Sequence, residues 1–94
     1  MHYLYIIFSE TMKKFYIGET SDVENRLIQH NTHYFKTNFT KGAEDWIIKL
    51  KFPTKSKDEA VLLERFIKKM KSRKFIEKII SKPSILTEIL EKEK

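Results

Sequence analysis

Arg26 and His30 carry side chains whose types and spacing suit chemistry on a phosphate ester. They are four residues apart, so on a helix they would share one face. A guanidinium there can hold the phosphate that is attacked and stabilise the negative charge that develops during hydrolysis, while the imidazole assists the water or the phosphate. The ordinary alternatives are a surface ion pair between Arg26 and Asp22 and a solvent-facing helix end for His30.

Glu64 is a candidate ligand for a divalent metal ion. Mg²⁺ prefers oxygen donors and can bind through one carboxylate, with water molecules and a substrate phosphate completing its coordination shell. The competing interpretation is an ion pair with Lys68, because glutamate four residues before lysine is the favourable order on an exposed helix face.

Tyr5 and Tyr16 lie in two apolar segments near the start of the chain. A phenol with a pKa of about 10 is a poor base at neutral pH, so it needs a nearby cation or metal ion to act as one. The alternative is that both are half-buried strand aromatics with hydrogen-bonded hydroxyls.

The strands that must position these tyrosines follow from the hydrophobic pattern. Residues 3–8 are apolar throughout, which predicts a central strand covered on both faces, and residues 15–18 predict its hairpin partner. Alternation over residues 46–52 predicts a third strand that Pro53 closes. The side chains predicted to share one face of this strand are Trp46, Ile48, Leu50 and Phe52.

Two capping boxes predict the first two helices. Ser21 and Glu24 begin a helix over about 22–31, and Ser56 and Glu59 begin one that ends near Lys71. Residues 33–45 have no clean period and predict a long loop, which in a compact domain is often functional.

The C-terminal part of the chain predicts a third helix and a short amphipathic tail, separated at Pro83. The third helix directs Phe75, Ile76, Ile79 and Ile80 inward, and the tail contributes Ile85, Ile89 and Leu90. We therefore expect one domain over 1–82 and a helical tail over 83–94.

The composition is that of a small, basic, folded domain. Ninety-four residues hold one modest core, and a net charge of +6 with a pI near 9.5 favours a polyanionic partner. The absence of cysteine excludes disulfides, thiolate zinc sites and a cysteine nucleophile. The apolar run Leu4 to Phe8 is too short to span a bilayer, so we expect a cytoplasmic protein without membrane association.

Tyr3-Leu4-Tyr5 and Tyr16-Ile17-Gly18, followed by a helix with Arg26 and His30, together resemble the core of the GIY-YIG nuclease family, particularly its small stand-alone bacterial form. The stretch from Glu59 to Lys69 resembles the metal-binding helix of that family. The resemblance covers about residues 3–80. Tyr3 and Leu4 stand where the family name has glycine and isoleucine, whereas the motif tyrosine is kept.

The resemblance implies an α/β fold of the α+β type, a three-stranded antiparallel sheet flanked by helices. It implies that Tyr5 and Tyr16 lie on adjacent strands and that one of them helps to deprotonate the attacking water; which one stays open. Arg26 would hold the phosphate and His30 would assist. Glu64 would be the sole protein ligand of one Mg²⁺ or Mn²⁺ ion.

Basic and hydroxyl residues outside this series are candidates for contact with a nucleic-acid backbone. Those in the long loop, where the family often has basic and hydroxyl residues, are Lys36, Thr40 and Lys41. Those after the metal-binding helix segment are Lys68, Lys69, Lys71, Arg73 and Lys74. For both groups the alternative is simple solvation of a polar surface.

The expected function is metal-dependent endonucleolytic hydrolysis of DNA, with structured or damaged DNA in repair or recombination as the setting. The alternative is a nucleic-acid-binding module of the same fold with little or no cleavage, and a third interpretation is a structural adaptor using its C-terminal helices. We expect a monomer or weak homodimer, with a protein partner as one source of specificity.

Overall fold

The computed structural model describes residues 1–32 and 42–93. Within these residues the elements, in chain order, are β1 (His2–Ser9), β2 (Lys14–Thr20), α1 (Val23–Asn31), β3 (Trp46–Thr54), α2 (Lys57–Met70), α3 (Arg73–Ser81) and α4 (Ser84–Glu93). The predicted α+β architecture is confirmed.

The sheet is antiparallel with the order β2-β1-β3, so β1 is its central strand, as its unbroken apolar run predicts. Alternate residues of β1 serve two hydrophobic clusters, because successive side chains of a strand point to opposite faces. Leu4 and Ile6 pack with α2, α3 and α4 in the first cluster. Tyr5 and Ile7 pack with Val23 of α1 in the second. The candidate site lies on this second face.

Strand β3 differs from the sequence prediction in its length and in its faces. It continues through Pro53 to Thr54, which an edge strand tolerates because the missing amide of proline faces away from the ladder. The prediction of one shared face is also wrong. Its pairing skips one residue, since Ile6 faces Leu50 but Ile7 faces Ile48, and the bulge at Lys49 reverses the alternation.

The consequence of this bulge is that β3 contributes to both clusters. Trp46 and Ile48 belong to the second cluster beside α1, whereas Leu50 and Phe52 pack against the first cluster beneath the other helices. A single edge strand therefore closes both faces of the sheet.

The helices begin at polar caps, one of which differs from the prediction. Asp22, and not Ser21, caps α1: its carboxylate accepts a hydrogen bond from the amide of Asn25 at 3.1 Å. The predicted cap of α2 is confirmed, because the Ser56 hydroxyl accepts from the amide of Glu59 at 3.2 Å.

The C-terminal tail forms α4, which contributes to the first cluster. Its most buried side chains are Leu86 and Ile89, and Ile85 and Leu90 pack partly buried beside them. The amphipathic pattern of the tail predicts three of these four; the fourth, Leu86, is fully buried. In the described part of the chain no helix combines the length and the apolar character that crossing a membrane requires.

Candidate active site

Tyr5 and His30 form a buried hydrogen-bonded pair between β1 and α1. The Tyr5 hydroxyl lies 2.9 Å from Nε2 of His30, and each residue exposes only 1 % of its surface. Tyr5 points toward α1 because it alternates with Leu4 and Ile6, which point to the other face. His30 reaches it from the last turn of α1.

Both members of this pair are uncharged at neutral pH. Burial is the main cause that raises the pKa of Tyr5 well above its ordinary value of 10.0, and the neighbouring Tyr16 and Glu64 add to the effect. Burial lowers the pKa of His30 from 6.5 to about 4, with a further contribution from the Arg26 guanidinium. We assign the donor to the Tyr5 O–H, which leaves the imidazole proton on Nδ1.

Gly18 makes room for the Tyr5 ring on the adjacent strand. The two residues face each other in the β1–β2 ladder. A Cβ at Gly18 would lie 2.6 Å from the Tyr5 hydroxyl oxygen and 2.7 Å from Cζ, closer than atoms approach without displacement. The glycine therefore permits the ring position that brings the hydroxyl to His30, a role that the motif alone does not reveal.

Tyr16 is the more accessible of the two tyrosines. Its ring centroid lies 4.8 Å from that of His30 and 6.3 Å from that of Tyr5, so the three rings are neighbours. Tyr16 is half-buried, whereas Tyr5 is closed off. Of the two motif tyrosines, Tyr16 is therefore the one that lies nearer to solvent.

Glu64 approaches the tyrosines from the opposite layer. It lies on α2, which packs against β1 and the edge strand β2. Its side chain is 21 % exposed and accepts a hydrogen bond from Lys68 Nζ at 2.8 Å. The same Nζ lies 5.7 Å from the centroid of the Tyr16 ring. The ion pair that competes with metal binding in the sequence analysis is thus present, beside the tyrosine.

Arg26 is half-buried on α1, one turn before His30. Its positive charge acts on both members of the buried pair, opposing the rise in the pKa of Tyr5 and adding to the fall in that of His30. The spacing predicted from the sequence therefore brings the guanidinium and the imidazole to the same group of residues as the tyrosines.

Asn31 fixes the end of α1 that carries His30. Its Nδ2 donates to the backbone carbonyl of Trp46 at 3.0 Å, and its Oδ1 accepts from the backbone amide of the same residue at 2.8 Å. These two hydrogen bonds connect α1 to the start of β3. Sequence reasoning misses this residue, since the only signal is a polar side chain directly after the histidine.

A carboxylate joins the β1–β2 turn to the segment before β3. Asp45 accepts from the Ser9 hydroxyl at 2.6 Å and from both the amide and the hydroxyl of Thr11 at 2.9 Å. These hydrogen bonds, that of Ser9 foremost, lower the pKa of Asp45. The turn is thereby held against β3, at the end of the sheet away from His2 and Thr54.

The structure separates the residues predicted to contact a nucleic-acid backbone. Lys68, Lys71 and Arg73 line one groove together with Lys13 and Lys14, which the sequence analysis does not name. Lys69 lies at a different depression beside Met70, and Lys74 is exposed on α3. The predicted loop contacts Lys36, Thr40 and Lys41 lie outside the described residues.

The donor set at this site suits a metal ion held by one carboxylate. Residues 1–32 and 42–93 contain no cluster of three or more histidine, cysteine or acidic side chains that could hold a metal ion. Glu64 offers a partly exposed carboxylate. Mg²⁺ accepts such a site because water and phosphate oxygens supply its remaining ligands. The Lys68 ammonium bonds to one oxygen of this carboxylate, Oε2, so a metal ion would either share the carboxylate with it or displace it.

Comparison with protein families gives one match. The model described as the GIY-YIG catalytic domain matches residues 1–78 of this chain, a span that includes every site residue described above from Tyr5 to Arg73. Searches of curated proteins and of solved structures found no match.

Proposed function

The chain belongs to the GIY-YIG family, and on that premise we propose that it is a metal-dependent endonuclease that hydrolyses phosphodiester bonds of DNA. The observation that carries the proposal is the meeting of Tyr5, Tyr16 and His30 on one sheet face with the Glu64–Lys68 pair that reaches them from α2. A nuclease domain implies a nucleic-acid substrate. Structured or damaged DNA, in repair or recombination, is the substrate we propose.

In this proposal Tyr16 is the tyrosine that contacts the attacking water. It is half-buried, and the ammonium of Lys68 lies 5.7 Å from its ring centroid, which supplies the nearby positive charge that a phenol needs to act as a base in its deprotonated form. Tyr5 and His30 stand behind it as an uncharged pair and exclude water from that side of the ring. Both are positioning residues.

Arg26 binds the phosphate that is attacked, because a guanidinium offers several fixed donors and keeps its charge at any relevant pH. The increase in negative charge during hydrolysis strengthens that contact. Glu64 holds one Mg²⁺ or Mn²⁺ ion, which when bound supplies Lewis-acid stabilisation of the phosphate oxygens. No covalent intermediate on the protein is required.

A nucleic-acid-binding module with little or no cleavage is the second candidate, and one observation favours it. The Glu64 carboxylate is already engaged by Lys68 at 2.8 Å. A carboxylate with an adjacent ammonium attracts a divalent cation less strongly than an isolated one does. If metal cannot displace this partner, the domain binds without cutting.

The deciding experiment is cleavage of labelled duplex, flap, branched and single-stranded DNA and RNA with Mg²⁺ or Mn²⁺. Wild type is compared with Glu64→Gln, which keeps the size of the side chain and removes its charge, and with Glu88→Gln on the exposed face of α4. Products that require metal, persist in Glu88→Gln and vanish in Glu64→Gln support the nuclease. Binding without products in any of the three supports the module.

We propose a monomer or weak homodimer that acts in the cytoplasm, with a protein partner supplying specificity for particular substrates. We also retain residues 1–82 as the nuclease-like domain and 83–94 as its C-terminal helical extension. The packing of Leu86 and Ile89 in the first cluster supports an extension that stabilises the domain.

A further inference from the structure

A groove of about 540 Å³ runs between the β1–β2 hairpin and helices α2 and α3. Its cationic lining consists of Lys13, Lys14, Lys68, Lys71 and Arg73. Its floor is apolar and is formed by Phe15, Ile17, Ile67 and Ile76. The volume lies within the range of about 300–1,000 Å³ that is usual for small-molecule sites, so the groove can take in a flat group of the size of a nucleobase.

A second groove, of about 370 Å³, continues from the first. The two share Phe15 and Arg73, and the second adds the aromatic ring of Phe8 and the cation of Lys49. The Arg73 guanidinium lies 5.2 Å from the centroid of Phe15 and 5.7 Å from that of Phe8, so a planar cation sits on aromatic rings where the grooves meet.

Lys68 joins the first groove to the candidate active site. The same ammonium that lines the groove bonds to Glu64 and lies beside the Tyr16 ring. A chain with a phosphate at the site can therefore continue directly into the groove. The two grooves and Lys68 together form what we call the flank track.

The backbone of the flank track has an unusual conformation at two lysines. Lys13 and Lys71 have φ angles of 55° and 49°, and they are the two non-glycine residues with positive φ in the described part of the chain. Both line the first groove. Lys71 is the C-cap of α2, where helices commonly adopt left-handed backbone, and Lys13 lies in the β1–β2 turn. Glycine adopts this conformation more easily than lysine does.

A contact made by Arg73 holds one of these lysines in place. Its guanidinium donates to the backbone carbonyl of Lys13 at 2.7 Å, across the groove. The hairpin turn and α3 are thus fixed relative to each other, and the groove between them is preformed.

We propose that the flank track binds unpaired nucleotides next to the scissile phosphate, so that the substrate class is nucleic acid with a single-stranded flank. An apolar floor beneath a cationic rim matches a strand whose bases are exposed, because bases pack on the floor while phosphates meet the lysines. A duplex keeps its bases paired inside and would leave the floor uncovered. The proposal rests on the nuclease assignment for the position of the scissile phosphate, and binding to the track can be measured without it.

The positive charge of the flank track is partly neutralised by acidic side chains of the protein itself. Glu10 pairs with Lys13, Glu64 with Lys68, and Glu77 lies 3.6 Å from Arg73. The three acidic partners are surface or near-surface groups, and such ion pairs are weak in water. A phosphate can therefore replace them, and Lys14, Lys49 and Lys71 add further positive charge along the path.

The test measures binding of the whole protein in EDTA, so that no cleavage interferes. The fluorescent probes are a blunt DNA hairpin, the same hairpin with a short thymidine extension, and the same extension built from abasic residues. We expect the thymidine extension to bind at least about fivefold more tightly than the abasic one, because each stacked base adds to affinity beyond the charge of its phosphate. Equal affinity for the thymidine and abasic probes would overturn the proposal, as it would show contact with charge alone.

Variants of the two left-handed lysines separate binding from folding. Lys13→Gly and Lys71→Gly remove a charge but suit a positive φ, so the melting temperature should stay constant or rise. Affinity for the extended hairpin should fall severalfold, with the salt slope reduced by about 0.7 for each lost phosphate contact, and affinity for the blunt hairpin should change little.

Lys78→Ala removes one charge from an exposed position on α3 outside both grooves and serves as the control. Loss of affinity equal to that in Lys71→Gly would overturn the track, since net charge would then explain the binding. The flank track and the nuclease activity can be disproved independently of each other. If the protein prefers the extended hairpin but gives no metal-dependent products, the flank track is supported and the nuclease activity is not. If it cleaves DNA but shows no preference for the extension, the nuclease activity is supported and the flank track is not.

Discussion

The Tyr5 hydroxyl donates to Nε2 of His30 over 2.9 Å inside the second hydrophobic cluster, where solvent reaches neither side chain. Because of this contact, the two motif tyrosines have different surroundings. The hydroxyl of Tyr5 is engaged in a buried hydrogen bond and its pKa is raised, whereas Tyr16 is half-buried. The tyrosine variants should therefore affect different properties of the protein.

Tyr16→Phe should reduce cleavage by about 100-fold or more, which is the usual cost of losing a group that moves a proton. Stability should change little, because the lost hydroxyl belongs to a half-exposed ring. Tyr5→Phe should lower the free energy of unfolding by about 1–3 kcal/mol, since it leaves a buried imidazole nitrogen without its partner. Cleavage rates and urea unfolding of both variants provide the check. If Tyr16→Phe cuts at the wild-type rate, the assignment of the water to that residue is wrong.

The depressed pKa of His30 should make the protein less stable in mild acid. The unfolded chain binds a proton at this histidine near pH 6.5, and the folded protein does so only near pH 4. Unfolding therefore takes up a proton between these values, and the free energy of unfolding should fall by at most about 3 kcal/mol as the pH drops from 6.5 to 4. Below pH 4 the contribution of His30 levels off.

The measurement for this histidine is urea unfolding as a function of pH in wild type and His30→Gln. The variant loses the titrating group, so its curve should be flatter across the same window, although its stability at pH 7 is lower because a buried hydrogen bond is changed. Parallel curves for the two proteins would show that His30 is not the cause.

Lys68→Ala should increase the affinity of the site for Mn²⁺ about fivefold, because it removes an ammonium bonded to the candidate ligand. Lys69→Ala removes the neighbouring cation, which the structure places at another depression, and should leave the affinity nearly unchanged. Titration of Mn²⁺ followed by electron paramagnetic resonance measures binding without substrate. Binding that survives in Glu64→Gln would remove this glutamate as the metal ligand.

Gly18→Ala should destabilise the protein by about 1–3 kcal/mol, because the new methyl group on β2 must displace the ring of Tyr5, which packs over Gly18 from β1. It should also lower cleavage, because displacement of the Tyr5 ring would disturb the neighbouring rings of Tyr16 and His30. Gly42→Ala is the natural comparison: its Cβ would lie 3.1 Å from Met12 Sδ, on a flexible side chain that can move aside. Thermal melts that rank the two variants in the opposite order would contradict this account.

The sequence predicts the parts of the fold that local pattern controls. The unbroken apolar run of β1 is enough to place it at the centre of the sheet, because only a strand covered on both faces buries consecutive side chains, as residues 4–7 are buried here. The spacing of Arg26 and His30 likewise predicts their common location, since a helix places residues four apart on one side.

Other features depend on partners distant in sequence and have no local signal. The bulge that splits β3 is a property of its pairing with β1, and alternation within β3 alone predicts a regular strand. The bond from Asn31 to Trp46 requires knowledge that α1 ends beside β3. The groove at Lys13 and Lys71 joins a turn and a helix end that are far apart along the chain.

The extra residue in β3 governs more than the shape of one strand. Without Lys49 the ladder would run in regular register, and either Trp46 and Ile48 or Leu50 and Phe52 would turn outward. If Trp46 and Ile48 turned outward, α1 would lose side chains that it packs against. If Leu50 and Phe52 turned outward, the hydrophobic cluster beneath α2 would be exposed. Deletion of Lys49 alone would therefore loosen from the sheet either α1, which carries Arg26 and His30, or α2, which carries Glu64.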